Sequence, residues 1–405
     1  PLDEVSVSFT INPSAAVIYA MFVALFDKRG IDRSEINATF QNDMLKEFIA
    51  QKEWVIPPRP SVDLVVDTVE FAVEQNPKVK PISISGYHIR EAGSTAIQEL
   101  AFTLADGFAY VEACMERGMD VDEFAPQLSF FFNSHNSIFE EIAKFRAARR
   151  IWARVMDEKY DAQKPESKRL KFHTQTAGQP LNNVVRTTLQ ALAAVLGGTQ
   201  SLHTNSYDEA YALPTQEAVR VALRTQQIIA DESGAADVVD PLGGSYFVEA
   251  LTNETEEKAM EYIEKIEERG DGSILEGVFK GIDQGWFQRE IQESAYEYQK
   301  RVEEKDEVVV GVNKYVEDEE EDIEILHVDE ENARKTQFDR LEQVREERDD
   351  SEVEEALENL RDAIENDENT MPYIVEAVKK YATMGEIMQV FQDVHGAYHE
   401  SRIRV

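Results

Sequence analysis

The chain has 405 residues, 42% of them hydrophobic, with 19 glycines and 13 prolines. That length allows two or three domains, or one large barrel with an extension, and the composition excludes a collagen-like or low-complexity chain. Acidic residues outnumber basic ones 79 to 42, for a formal net charge of −37, so contacts to nucleic-acid phosphates or to an anionic membrane surface are disfavoured.

Acidity on this scale fits a halophilic surface screened by salt, or acid spread over solvated helices. No apolar run approaches the ~18 residues of a membrane span. Pro1-Leu2-Asp3-Glu4 lacks the apolar stretch of a signal peptide. Cys114 stands alone, which excludes an internal disulfide and a cysteine-based zinc site. A cytoplasmic protein is expected, with neither nucleic acid nor membrane as partner.

In chain order, strand-like runs fall at residues 5–11, 38–41, 82–88, 128–133, 170–176 and 199–205. Helical patterns lie between them, as at 91–116, 139–156 and 181–196. This alternation predicts an α/β fold with a parallel sheet. About six βα units are present against the eight of a closed (β/α)8 TIM barrel, so residues 1–240 read as a barrel portion missing its first two or so units. An open doubly wound sheet is the rival, but no GxGxxG follows a strand. Pro241-Leu242-Gly243-Gly244-Ser245-Tyr246 opens a helical, barrel-closing segment at 241–316, which ends in a further β-like run at 308–313. Residues 317–405 read as an acidic, mostly helical extension, its block at 317–321 a solvated linker.

Barrel chemistry sits at the carboxyl ends of the strands. Those ends carry Gln41 and Asn42, Tyr87 and His88, Asn133 and His135, His173 and Gln175, and Gln200, His203 and Asn205, with Glu209 as the main acid. No Ser-His-Asp arrangement, nucleophile elbow or phosphate loop appears. Neutral amides and imidazoles orient a carbonyl without hydrolysing it, which leaves the difficult chemistry to a cofactor. A zinc triad of His88, His173 and His203 is the alternative, but no HxH or HExxH spacing supports it.

Several blocks together resemble the methylmalonyl-CoA mutase family. They are Gln41-Asn42-Asp43, Ile82 to Gly93, Phe172 to Gly178, Gly198 to Asn205, Asp240 to Tyr246 and Gly311 to Tyr315. The resemblance implies an adenosylcobalamin-dependent mutase in which a radical drives migration of a CoA-thioester group to the neighbouring carbon. It implies catalytic roles for His88, on the migrating carbonyl, and Tyr87. Gln41, Gln51, Ser129 and Gln200 would contact substrate. His173, Gln175, Asn205 and Glu209 would face the cofactor, and no residue would bind a metal directly.

The chain also departs from the family. The mutase proper has an arginine where Gln51 stands, clamping the free carboxylate of methylmalonyl-CoA. Gln lacks that bidentate charged fork. Gln51-Lys52-Glu53-Trp54 and Phe130 to Asn136 look more like isobutyryl-CoA and 2-hydroxyisobutyryl-CoA mutases, whose substrates lack that carboxylate. Methylmalonyl-CoA stays open if Lys52 swings in. Gln127 replaces a family arginine that contacts CoA, and the loop Gln179-Pro180 is short. Asp393-Val394-His395 begins like the cobalamin signature Asp-x-His-x-x-Gly but has Tyr398 at the glycine position, so it reads as helix and tail. A separate cobalamin-binding small subunit is therefore expected, in a hetero-oligomer. The rival of another class is a non-catalytic assembly subunit.

Overall fold

The structure is a computed structural model that describes residues 2, 4–177, 183–316, 326 and 328–400. The loop at Gln179-Pro180 and the acidic block at 317–321 lie outside the described residues. Six parallel strands overlap the six predicted runs: β1 (Val7–Phe9), β2 (Ala38–Phe40), β3 (Ser83–Ser85), β4 (Ser129–Ser134), β5 (Phe172–Thr176) and β6 (Ser201–His203). β1 pairs with β2, and the other four pair in sequence order. The Phe40 N–H donates to the Lys80 carbonyl and the Ser83 N–H to the Gln41 carbonyl, both at 2.9 Å, which joins the two groups into one arc. Strand order follows chain order without reversal. That is the winding of a barrel, whereas a doubly wound sheet switches direction. β1 and β6 do not pair with each other among the described residues.

The two faces of the arc differ in chemistry. Phe130, Phe132 and Phe172 point outward onto Phe145 and Trp152 of the helix Ile138–Glu158. The alternate positions carry Ser83, Ser85, Ser129, Phe131, His173 and Ser201. A barrel of this kind usually fills its interior with Val, Ile and Leu. Serines there leave space along the axis.

One apolar core joins the outer face of the arc to the helices Ala96–Glu116, Ile138–Glu158, Tyr246–Arg269, Ile274–Asp283 and Trp286–Glu304. A second core joins Ala15–Arg29 and Pro58–Gln75 to Asp350–Glu365, Met371–Lys379 and Met384–His395. The helix Glu330–Glu347 buries none of its residues, as its charge predicts. Among the described residues no helix is long and apolar enough to cross a membrane.

Three sequence expectations fail. The run at 308–313 forms a turn with only an isolated bridge between Val310 and Lys314. Asn313 ties that turn by donating to the carbonyls of Val302 (2.8 Å) and Glu307 (2.7 Å) and accepting from the Val309 N–H. The run at 82–88 stops at Ser85, and Tyr87 and His88 lie instead on a short helix, Tyr87–Glu91. Gly86 makes this turn against Thr103 and Glu99, where an added Cβ would come within 2.3 Å of Thr103 Oγ1. The predicted helix at 91–116 is broken by Gly93 (φ +109°) and restarts at Ala96 under a Thr95/Gln98 capping box.

Behind this turn sits a buried charge cluster. Lys144 Nζ donates to Glu99 Oε2 (2.7 Å) and the Asn133 carbonyl (2.8 Å), and also meets Glu141. Arg90 lies 3.8 Å from both carboxylates. Glu99 Oε1 accepts the Asn133 N–H at 2.7 Å. Two cations thus face two buried acids, and burial pushes the Glu99 carboxyl up to about 7 against the pull of Lys144. Lys144→Met leaves Arg90 alone against both acids and should lower stability by about 3–5 kcal/mol, read from urea denaturation. A loss below about 1 kcal/mol, the size of an exposed pair, would contradict a buried role.

Candidate active site

The inward side chains line up across the strands. Ser83 is level with Ser129, and Ser85, Phe131, His173 and Ser201 form the next row. Asn133, Gln175 and His203 form a third row at the carboxyl ends. Tyr87 stacks on Phe131 (5.2 Å, 3°), with the rings of His88 and His173 set against the same phenylalanine. Phe131 is thus the aromatic centre of the site.

His88 is held by Ser85, whose Oγ lies 3.1 Å from Nδ1. Burial, and then the charge of Lys46, pull its pKa down to about 3. A neutral imidazole that accepts from Ser85 at Nδ1 carries its proton on Nε2, and so offers one donor without a charge. His173 is paired with Ser201 Oγ at 2.7 Å, and burial, then His203, pull it down to about 4. Burial, and then Glu91, push the Tyr87 hydroxyl up, while a hydrogen bond with Asn205 opposes them.

Gln41 follows β2 and is buried. Its Oε1 accepts from Asn12 Nδ2 at 2.9 Å, and its Nε2 has no partner among the described residues. The neighbouring Asp43 is scaffold: it accepts the Ser85 N–H (2.7 Å) and the Tyr110 hydroxyl (2.8 Å), locking the end of β2 to that of β3. Gln51 ends the π-helical turn Glu47–Gln51, which packs against the His88 helix. Its Oε1 is held by Lys46 Nζ. Lys52 is not beside it but pairs with Glu400.

Ser129 donates to the Ile82 carbonyl at 2.9 Å. Gln175 shares the third row, and Asn205 accepts from Thr176 Oγ1 at 3.2 Å. Glu209 accepts the Ser206 N–H at 3.1 Å and lies 3.9 Å from His203. Gln200 is not brought to this cluster. It precedes β6, and its amide bridges the Phe172 N–H (2.6 Å) and the Gly198 carbonyl (2.8 Å). Gln127 is buried with Oε1 unpartnered among the described residues.

Sequence reasoning missed three groups. Glu91 accepts from Asn133 Nδ2 at 2.6 Å and lies 3.6 Å from His135, so Glu209 is not the only acid at the mouth. Lys46 and Phe131 were the others. Their strand and helix neighbours gave only an adjacent Lys-Glu pair and a phenylalanine run. The three histidines of the zinc alternative have separate partners, and no group of three metal-ligating side chains exists among the described residues.

A proton taken up only by the unfolded chain destabilises the fold as pH falls. The His88 contribution is therefore intact above its unfolded pKa near 6.5 and is lost progressively from there towards about 3. His88→Gln should flatten the stability loss between about pH 6 and 4 in urea melts. In the unsubstituted protein, NMR should find this ring neutral at pH 5, and titration near 6.5 would contradict its burial.

The family model for methylmalonyl-CoA mutase matches residues 1–397. The chain is 51% identical to the 2-hydroxyisobutanoyl-CoA mutase large subunit of Aquincola tertiaricarbonis, over 99% of this chain and 72% of the relative. It is 45% identical to the methylmalonyl-CoA mutase of Rhizobium meliloti and 40% to the mitochondrial one of Homo sapiens, over 98% of this chain in each case. It spans 56% and 53% of those two relatives, about half their length. Family model, relatives and strand order agree: the chain belongs to the methylmalonyl-CoA mutase family.

Proposed function

We propose that this chain is the substrate-holding, catalytic part of an adenosylcobalamin-dependent acyl-CoA mutase, an intramolecular transferase. It would work in a hetero-oligomer whose separate small subunit carries the cobalamin-binding domain. One observation carries the reading: a barrel interior lined by Ser83, Ser129 and Ser201 leads to a neutral His88. An extended thioester fits such an axis, and an uncharged N–H donor suits its carbonyl oxygen.

The chemistry of the mouth fits the cofactor. Asn133 Oδ1 and His135 Nε2 are buried there without hydrogen-bond partners among the described residues. His173, Gln175 and Asn205 add amide and imidazole groups for a corrin edge, and Glu209 and Glu91 suit ribose hydroxyls. When bound, the cofactor would supply the radical that removes the substrate hydrogen. The chain's own part is narrower. His88 Nε2 holds the migrating carbonyl, and Ser85 keeps that proton in place. Tyr87, pressed on Phe131, walls the reacting carbon from solvent. Ser129 borders the path of the CoA arm, whereas Gln200, its amide tied to the Phe172 N–H and the Gly198 carbonyl, takes no part in it. Nothing here need transfer a proton, in keeping with histidines held neutral by burial.

Gln51 favours an acyl group without a carboxylate, isobutyryl or 2-hydroxyisobutyryl. Methylmalonyl-CoA is the second reading, kept by the buried Lys46 beside Gln51, although Glu47 already takes that charge at 2.6 Å. The relative at 51% identity, a 2-hydroxyisobutanoyl-CoA mutase large subunit, supports the first. A cytoplasmic setting and a salt-screened surface belong to the same reading, supported by the net charge of −37. A non-catalytic assembly role has no comparable support, because the Ser85–His88 pair and the Tyr87 stack are intact.

Full-length protein, assembled with its small subunit and cofactor in high salt, should turn over isobutyryl-CoA or 2-hydroxyisobutyryl-CoA in preference to methylmalonyl-CoA. Gln51→Arg should move kcat/KM towards methylmalonyl-CoA by about a hundredfold, the worth of roughly 3 kcal/mol for a buried charge partner. Dominant methylmalonyl-CoA turnover by the unsubstituted protein would overturn the substrate reading.

A further inference from the structure

Lys46 and Glu47 are adjacent in sequence and both side chains are fully buried (0% exposed). Lys46 Nζ donates to Glu47 Oε1 at 2.6 Å and to Gln51 Oε1. The second Glu47 oxygen accepts the Glu53 N–H at 3.1 Å. The Lys–Glu pair is therefore neutral as a unit and has no net charge to offer a carboxylate. An ammonium has three donors and no acceptor, so only the oxygen of Gln51 can face it. The amide is then fixed nitrogen first, and Nε2 has no partner among the described residues. The π-helical turn that carries Gln51 packs on the helix of His88, and the Lys46 charge acts on that imidazole. Gln41 is set in the same sense, its oxygen held by Asn12 and its nitrogen without a partner among the described residues.

We infer that Lys46 is a positioning residue that turns Gln51 into a fixed hydrogen-bond donor, so that the acyl end of the site takes a hydroxylated branched acyl group over its unsubstituted analogue. The inference rests on the proposed function and deepens it to a substrate class. A hydroxyl oxygen accepts the Gln51 N–H. An isobutyryl methyl group in its place leaves that donor desolvated and unpaired, which penalises binding. Without Lys46 the amide would be free to flip and the discrimination would fade.

The test is calorimetric and needs no turnover. Full-length protein assembled with its small subunit, but without the adenosyl cofactor, is titrated with 2-hydroxyisobutyryl-CoA and with isobutyryl-CoA. The unsubstituted protein should prefer the hydroxylated thioester by about tenfold in Kd, and Gln51→Met should abolish the preference. Lys46→Met combined with Glu47→Gln removes both charges together, and should bring the ratio to about that of Gln51→Met. Lys46→Gln combined with Glu47→Gln keeps a neutral donor and should restore part of the preference. Circular dichroism identifies the folded variants. Failure of the unsubstituted protein to bind either thioester would count against the proposed function itself. Equal binding of the two, a Gln51→Met protein that keeps the preference, or a folded Lys46→Met pair that keeps it would overturn this inference alone.

Discussion

Lys144 and the largely buried Arg90 meet the fully buried Glu99 and Glu141, and three pieces of the barrel depend on that meeting. Glu99 belongs to the helix after β3, Glu141 and Lys144 to the helix after β4, and Arg90 to the short helix that bears Tyr87 and His88. The same groups bind the N–H and the carbonyl of Asn133 at the end of β4. Burying four charges is costly, and packed apolar residues would often stabilise a fold as well. What the cluster provides is a fixed position. With Gly86 wedged against Glu99 and Thr103, His88 has little freedom to move along the barrel.

From that constraint the site follows by geometry. Parallel strands in register place every second side chain on the axis, so Ser85, Phe131, His173 and Ser201 fall level without any local signal linking them. Each histidine is tied to a serine one strand away or one turn back, and burial keeps both neutral. A site with fixed neutral donors holds a carbonyl without attacking it. Under the proposed function, this is the preorganised setting the site would offer a migrating thioester carbonyl.

Much of this was legible in the sequence. All six strands were, because each is a short β-rich run between long helical patterns. The expected roles of His88, Tyr87 and Gln41 came from blocks resembling one family, and that of Gln51 from a departure within it. The rest was hidden for physical reasons. Tyr87 and His88 read as strand because five residues are too few to show a helical period. Lys46 offered no signal beyond an adjacent Lys-Glu pair, although it ends the short buried helix Met44–Lys46 just before the π-helical turn at Glu47–Gln51. Lys52, the nearer cation in sequence, is pointed away by its left-handed backbone (φ +72°) and by Glu400. The buried cluster was invisible because Glu99, Glu141 and Lys144 sit in helices whose charge pattern resembles a solvated face. The docking of Asp350–Glu365 and its successors onto Ala15–Arg29 was likewise beyond reach, since a long sequence separation gives no periodic signal.

The central claim is that the axis of the arc holds the thioester and that His88 holds its carbonyl. It is tested most directly by a crystal structure of the assembled protein with a non-reacting acyl-CoA analogue. The account predicts the carbonyl oxygen within hydrogen-bond distance of His88 Nε2, the acyl end beside Gln51 Nε2, and the pantetheine chain running past Ser83 and Ser129. An analogue seated outside the strands, or with its carbonyl held by a group other than His88, would contradict it.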